Sequence, residues 1–409
     1  MPKPLEGIRV VELGTYVAVP KCARILSDWG ADVIKIESLA GDDWRVIGKG
    51  LDVTCKPDHN PLYQPENMNK RNLALNLKIP EGLKILLELI ETADIFITNS
   101  RVRSLEKMGL DYASLQNRFP KLIYGLFTGY GQKGPDKDRP GFDVAAFWTK
   151  GGMPVEWTVK GHPPFKPQPG FGDSTCASMF LAGLLAALFS REKTGKGDFL
   201  EISLFGAALW FNSTGVVSCQ PQYGRTFPRG VEDCPAPYNL PFQTKDGDWI
   251  MWSLPNWDKD ARYKDLLRSL DMEEYINDPR FATLKETGNH RLALREIFEK
   301  KFLGYTTEEI VRRLTEGDFV FSIAANPKDV IHDEQAWAND YLFEQTLECG
   351  EKVVLPRPPV HFDSLPLPDF NRAPHLGEHS YAILAQLGYS EEDIRKYMEN
   401  GGVIQYRKK

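Results

Sequence analysis

Across the first 130 residues, short runs rich in Val, Ile and Leu alternate with stretches of helical period. In order they are IRVVEL, a helical pattern over 22–29, DVIKIE, NLALNL, a helical pattern over 81–91, DIFITN, another over 104–108, and LIYGLFTGYG. Strands separated in this way by helix-length crossovers run parallel, and the helices must cover both faces of the sheet they form. The alternation therefore predicts a doubly wound α/β fold. A loop rich in Gly, Pro and Asp, GYGQKGPDKDRPGFD, follows the last of these runs and leads into a helical segment over 144–150. Loops after strands are where such folds keep ligand sites.

One acidic residue stands out further on. In PGFGDSTCASMFLAGLLAALFSREKTGKGDFLEISLF, Asp173 lies between a glycine-rich bend and a long run of small and apolar side chains. The run over 176–189 suits a helix packed on several sides. Asp173 and Ser174 then fall near its first turn, where unpaired backbone N–H groups attract a carboxylate or hydroxyl. Position alone leaves two roles open for Asp173, an N-cap worth about 1 kcal/mol or a chemical one.

At 409 residues with 42% hydrophobic content the chain can fill two cores, and a division into 1–218, 219–330 and 331–409 follows its composition. The passage beginning at 219 is irregular and proline-rich. Residues 238–325 mix the strand DWIMWSL with helices over 258–270 and 291–302, reading as a smaller α+β domain. The tail carries DEQAWANDYLF, a second proline-rich crossing at LPRPPV, and helices over 379–387 and 391–398. The net charge of −6 argues against a nucleic-acid or anionic-membrane surface while leaving room for a small polyanion. No apolar run approaches the ~20 residues needed to span a bilayer, so the expectation is a cytoplasmic protein. Six scattered cysteines without a CxxC pair, and seven histidines without HExxH spacing, suggest neither a disulfide framework nor a metal site.

Basic residues of the first part gather near predicted strand ends: Arg45 in GDDWR, Lys70 and Arg71 in NMNKRN, and Arg101, Arg103 and Lys107 in NSRVRSLEKMG. They are either solvated surface or a phosphate site. No GxGxxG follows the first strand, and neither a GxxxxGK[ST] loop nor a GxSxG elbow occurs. A helix-start carboxylate, a basic first domain and no metal signal fit chemistry in which the carboxylate itself becomes acylated.

The blocks PLEGIRVVELGTYVAVP, WGADVIKIES followed by GDDWR, NKRNLALNLK, LEKMGLDY, GYGQKGPDKDRPGFD, GDSTCA and KTGKGDFLEISLF resemble the family III CoA-transferases, the formyl-CoA and carnitine-CoA transferase group. The likeness is colinear from Pro4 to the tail. GYGQKGPDKDRPGFD and DEQAWANDYLF are most similar to the clostridial members that charge 2-hydroxy acids, aryl or branched, for dehydration to enoyl-CoA. The resemblance implies a Rossmann-like large domain built from both chain ends, a small α+β domain, and an interlocked homodimer. It implies acyl-CoA and a carboxylic acid as substrates, no permanently bound cofactor, and a 2-hydroxyacyl-CoA dehydratase as a pathway partner.

It also maps the family's catalytic aspartate onto Asp173 and its CoA contacts onto Val17, Ala18, Asn99, Arg101 and Lys107, with Arg71 and Leu73 nearby. Asp143 falls on a family acidic position and is otherwise a helix cap. Chemistry explains the aspartate. A serine ester lies below a thioester in energy and could not return its acyl group to sulfur, whereas an aspartyl anhydride lies above it and can. Backbone N–H groups near Gly172 and Ser174 are candidate oxyanion donors, an effect typically worth about 3 kcal/mol each. Val17 stands where formyl-CoA transferase has Gln, Ser38 where some members carry Arg, and GDS where 2-hydroxy-acid members read GDH. Trp249, Trp252 and Trp257 are core or pocket wall. Two other readings stay open: a 2-methylacyl-CoA racemase, although TYVAVPKC lacks that group's histidine, and a non-catalytic CoA-binding accessory subunit.

Overall fold

Seven strands form one sheet in the first of two compact units. The computed structural model describes residues 2–54, 60–234, 240–253, 260–367 and 370–407. It divides into a unit of Met1–Pro154, Lys166–Gln220 and Gln335–Lys409 and a unit of Val155–Phe165 and Pro221–Glu334. Residues 155–165 group with the second unit because Val159 bridges to Arg229 and Lys160 pairs with Glu232 and Asp233.

The strands of this sheet are β1 (Arg9–Leu13), β2 (Asp32–Glu37), β3 (Arg71–Leu75), β4 (Ile95–Thr98), β5 (Ile123–Thr128) and β6 (Phe199–Ser203), with Val403–Ile404 closing one edge. The order is Val403–Ile404, β3, β2, β1, β4, β5, β6. All pairings are parallel except that of Val403–Ile404 with β3. The chain moves outward from β1 in one direction and then, through β4, in the other, so β1 and β4 flank the point where the order reverses. That is where sheets of this kind open a crevice at their carboxyl ends.

Alternation along each strand feeds two cores. Val10 packs with helices α1 (Ala18–Asp28) and α4 (Phe171–Thr194), while Val11 joins Ile34, Leu73 and Ile85 on the face covered by α2 (Pro80–Glu91). A third helix of this half, α3 (Val102–Met108), follows β4. Gly125 in β5 lets α4 lie close: a Cβ there would stand 2.7 Å from the Phe180 ring. By length and composition α4 is apolar enough to cross a bilayer, contrary to the sequence expectation. Cys176, Ala177, Phe180, Leu181, Leu184 and Leu188 nevertheless bury one side of it in this unit's core.

The second unit has a three-stranded antiparallel sheet, Phe242–Gln243, Trp249–Ser253 and Val320–Ile323, packed with helices around Phe242, Phe298 and Phe302. Trp252 belongs to this core and Trp249 is exposed. Trp257, Cys55, and residues 258–259 of the expected helix lie outside the described residues. That helix runs over Asp260–Ser269.

Candidate active site

The loops after β1 and β4 are joined by one side chain. The Thr15 amide donates to Asn99 Oδ1 (3.0 Å), and Asn99 Nδ2 donates back to the Thr15 carbonyl (2.9 Å). Beside this clamp lies a cleft of about 350 Å³ lined by both loops, by the long loop after β5 and by the first turn of α4.

Tyr16 lines the cleft with φ at 63°, a left-handed conformation that is costly for a large side chain. A buried ionic network holds it there. The Tyr16 amide donates to Asp42 Oδ1 (3.1 Å), and Asp42 Oδ2 pairs with Lys35 Nζ (3.0 Å). Lys35 also donates to Glu12 (3.0 Å) and to the Gly14 carbonyl (2.8 Å), and Lys70 pairs with the other Glu12 oxygen at 2.7 Å. Glu12, Lys35 and Lys70 are essentially inaccessible to solvent. Burial opposes a charged Lys35, yet Glu12 and Asp42 hold it above the usual lysine range; burial wins at Lys70, which is pulled down to about 8.

The head of α4 is built differently. Gly170, the N-cap, has φ at 90°, and its amide donates 2.8 Å to Oδ2 of Asp143; the Asp173 amide donates 3.2 Å to Oδ1. Asp143 therefore caps a helix distant in sequence. Gly172 is required for this, because a Cβ would meet Asp143 Oδ1 at 2.2 Å and Phe147 at 2.5 Å. Of the two roles left open for Asp143, its side chain fills the cap, although at the head of α4 and not of its own π-helical segment Asp143–Thr149.

With the cap supplied by Asp143, the Asp173 carboxylate makes no capping hydrogen bond and accepts none from the described residues. It is partly buried and lines the cleft. Burial first, then the charge of Asp143, push its pKa up to about 7; Lys21 pulls the other way and Glu66 adds to the rise. The expected oxyanion donors are not free. The Ser174 amide donates to the Gly170 carbonyl (2.9 Å), as the first intrahelical bond of α4 requires, and the Gly172 amide is turned to Asp143.

The cleft brings together Ala18, Asn99, Arg101 and Asp173 of the residues singled out from the sequence, with Arg103 beside them. Val17 is buried against Trp44, Tyr63 and Ala373 just behind the wall. Lys107 is exposed in the last turn of α3. Leu73 is fully buried, its side chain committed to the sheet core. Arg71 is bound to Asp32 (2.7 Å) at the amino end of β2, the opposite edge of the sheet from the cleft, and to Gln386. Its guanidinium is held away from any ligand in the cleft.

Residues not singled out include Tyr16, Lys137, Arg139 and Phe142, all lining the cleft. Tyr16 and Phe142 meet edge to face at 5.3 Å, and Phe142 is 60% exposed at the mouth. The signal for the last three was present in GYGQKGPDKDRPGFD, read as a ligand-site loop and a family block without these side chains being named. Tyr16 carried none, since its placement depends on a left-handed turn.

With this geometry in view, comparison with known proteins is informative. The model of CoA-transferase family III matches residues 5–380. The chain is 38% identical to the (R)-2-hydroxy-4-methylpentanoate CoA-transferase of Clostridioides difficile, covering 98% of this chain and 100% of that one. It is 34% identical to the cinnamoyl-CoA:phenyllactate CoA-transferase of Clostridium sporogenes, covering 99% and 98%. Its fold is similar to a CAIB/BAIF family protein from Brucella suis, with a TM-score of 0.80 and 27% identity over 95% of this chain and 100% of that one.

Proposed function

This chain belongs to CoA-transferase family III, and from that premise we propose that it exchanges CoA between an acyl-CoA donor and an aryl or branched 2-hydroxy acid through an anhydride on Asp173. The observation that carries the mechanism is the Asp173 carboxylate, relieved of helix capping by Asp143 and left facing the cleft without a hydrogen-bond donor. A carboxylate stripped of donors and water is a stronger nucleophile than a solvated one.

In the first step an Asp173 oxygen attacks the thioester carbonyl, the C–S bond breaks, and a mixed anhydride and CoA thiolate result. The incoming acid's carboxylate then attacks the aspartyl carbonyl and expels the donor acid, leaving a second anhydride. Thiolate attack on its acyl carbonyl forms the new thioester and restores Asp173. Thioester is exchanged for thioester and carboxylate for carboxylate, so no phosphoryl donor is needed. Arg101, Arg103, Lys137 and Arg139, which line the cleft, suit the phosphates of CoA. Tyr16 and Phe142 offer an apolar wall for the acid's side chain.

The proposal includes a homodimer. Leu209, Trp210 and Phe211 on α5 (Leu204–Phe211), with Phe189 on α4 and Val217 nearby, leave large apolar groups exposed, a surface that a second copy would cover. A cytoplasmic location and a dehydratase acting on the product fit the same reading.

Incubating the protein with a panel of acyl-CoA donors and 2-hydroxy acids, and following new thioesters by mass spectrometry, tests the activity and finds the best pair. Hydroxylamine added during turnover should leave a hydroxamate on the peptide containing Asp173. Product accumulating without that mass would end the anhydride mechanism.

A further inference from the structure

The head of α4 holds a cation that the mechanism above leaves without a task. Lys21 sits in the first turn of α1, where the helix dipole disfavours positive charge and acidic residues are the stabilising choice. Its position therefore has some other basis. Its Nζ donates to Ser174 Oγ (3.0 Å) and pairs with Glu66 Oε1 (3.2 Å). The Ser174 hydroxyl proton is committed to the Gly170 carbonyl (2.7 Å), so the hydroxyl turns a lone pair to Lys21 and cannot donate to Asp173. Glu66 is buried, and its second oxygen has no hydrogen-bond partner. The ammonium is thus fixed on the residue adjoining Asp173, from a different element.

Three elements packed on this point contribute charge. Asp143 comes from the segment before α4, Glu66 from the short helix Gln64–Asn67, and Lys21 from α1, and all three act on Asp173. Among the described residues Lys21 is the contributor of positive sign. We propose that Lys21 is a positioning residue for the transferase reaction, an ammonium tethered between Ser174 and Glu66 that keeps the Asp173 carboxylate in its ionised, attacking form. The inference rests on Asp173 being the nucleophile. It adds a reason for serine at 174, whose hydroxyl serves as the tether.

The test is the pH dependence of kcat/KM for the acyl-CoA, with the fastest donor and acid from the panel, because this quantity reports the free enzyme's ionisations. Lys21→Met should move the acid limb upward by about one pH unit while the alkaline plateau persists, and Lys21→Arg should bring the limb back. Glu66→Gln should move it downward, the opposite sign. Thermal melts at the assay pH establish that each variant is folded. A folded Lys21→Met whose limb stays in place, or whose rate falls equally at every pH, overturns the proposal. Should that variant fail to fold, Glu66→Gln decides, and an unmoved or upward limb overturns it. Undiminished exchange by Asp173→Ala is a different failure, since it removes the nucleophile itself whatever Lys21 does.

Discussion

Two charge clusters, one buried and one partly buried, lie within this one unit, and they are balanced in opposite ways. Beneath the loop after β1, Lys35 and Lys70 are matched against Glu12 and Asp42 at 2.7–3.0 Å. At the head of α4, Asp143, Asp173 and Glu66 are gathered around Lys21. In the first cluster each charge has a partner that offsets the cost of burial, fully at Lys35 and only in part at Lys70, and the set fixes the strained backbone at Tyr16. The second is poor in cations, and the shortfall falls on the carboxylate that lacks donors. The contrast teaches that signs cancel where the charges fix a backbone and do not cancel around the carboxylate proposed as the nucleophile.

The largest expected effect tests the unbalanced cluster. Asp173→Asn should reduce exchange by ~10³-fold or more while acyl-CoA still binds, as measured by single-turnover assay and direct titration. The same variant should be more stable than the parent at pH 8. The sign follows from the raised pKa: the folded state resists ionising Asp173, so no penalty exists below the ordinary carboxylate range. The penalty grows as pH rises toward about 7 and is complete above it. Melting curves at pH 4 and pH 8 check this, and an Asn variant less stable than the parent at pH 8 would contradict a desolvated carboxylate. Next in size comes the balanced cluster. Glu12→Gln leaves two buried ammonium groups facing a neutral amide and should cost roughly 3–5 kcal/mol in urea unfolding, opposite in sign to the change at position 173.

The two clusters also differed in how far the sequence revealed them. The parallel sheet was legible because alternation of β-branched runs and helical period is a local signal, and β1 to β5 with their helices lie where the pattern places them, while β6 falls beyond the stretch that carried it. Asp173 was legible as a helix-start carboxylate, and the family likeness singled it out. What could not be read was which aspartate does the capping, because Asp143 reaches α4 across 30 residues of chain through a loop whose path no local pattern encodes. For the same reason the oxyanion assignment to Ser174 does not hold in the fold, where its amide is already engaged by the Gly170 carbonyl, and the Gly172 amide lies against Asp143. Arg71 shows the converse limit. Near a predicted strand it resembled a phosphate ligand, but strand polarity sends its guanidinium to Asp32 at the far edge. The Lys35 and Lys70 pairing with Glu12 also went unread, since a buried lysine and a surface lysine look alike in a sequence.

The smallest expected effect separates the two duties of Asp143. It holds the N–H groups of Gly170 and Asp173, and its charge raises the pKa of Asp173. Asp143→Ala removes both acceptor oxygens and should cost about 1 kcal/mol, the usual value of a cap, more if the vacated space does not collapse. Asp143→Asn keeps one acceptor oxygen, so it should cost less in stability while still removing the charge. If that charge is what renders the head of α4 electrostatically unbalanced, the acid limb of kcat/KM should fall to lower pH in Asp143→Asn, with the alkaline plateau close to that of the parent. A limb that stays near pH 7 would take Asp143 out of the elevation of Asp173 and leave it to burial and Glu66, and the contrast with the cluster beneath the loop after β1 would then be chiefly one of solvation.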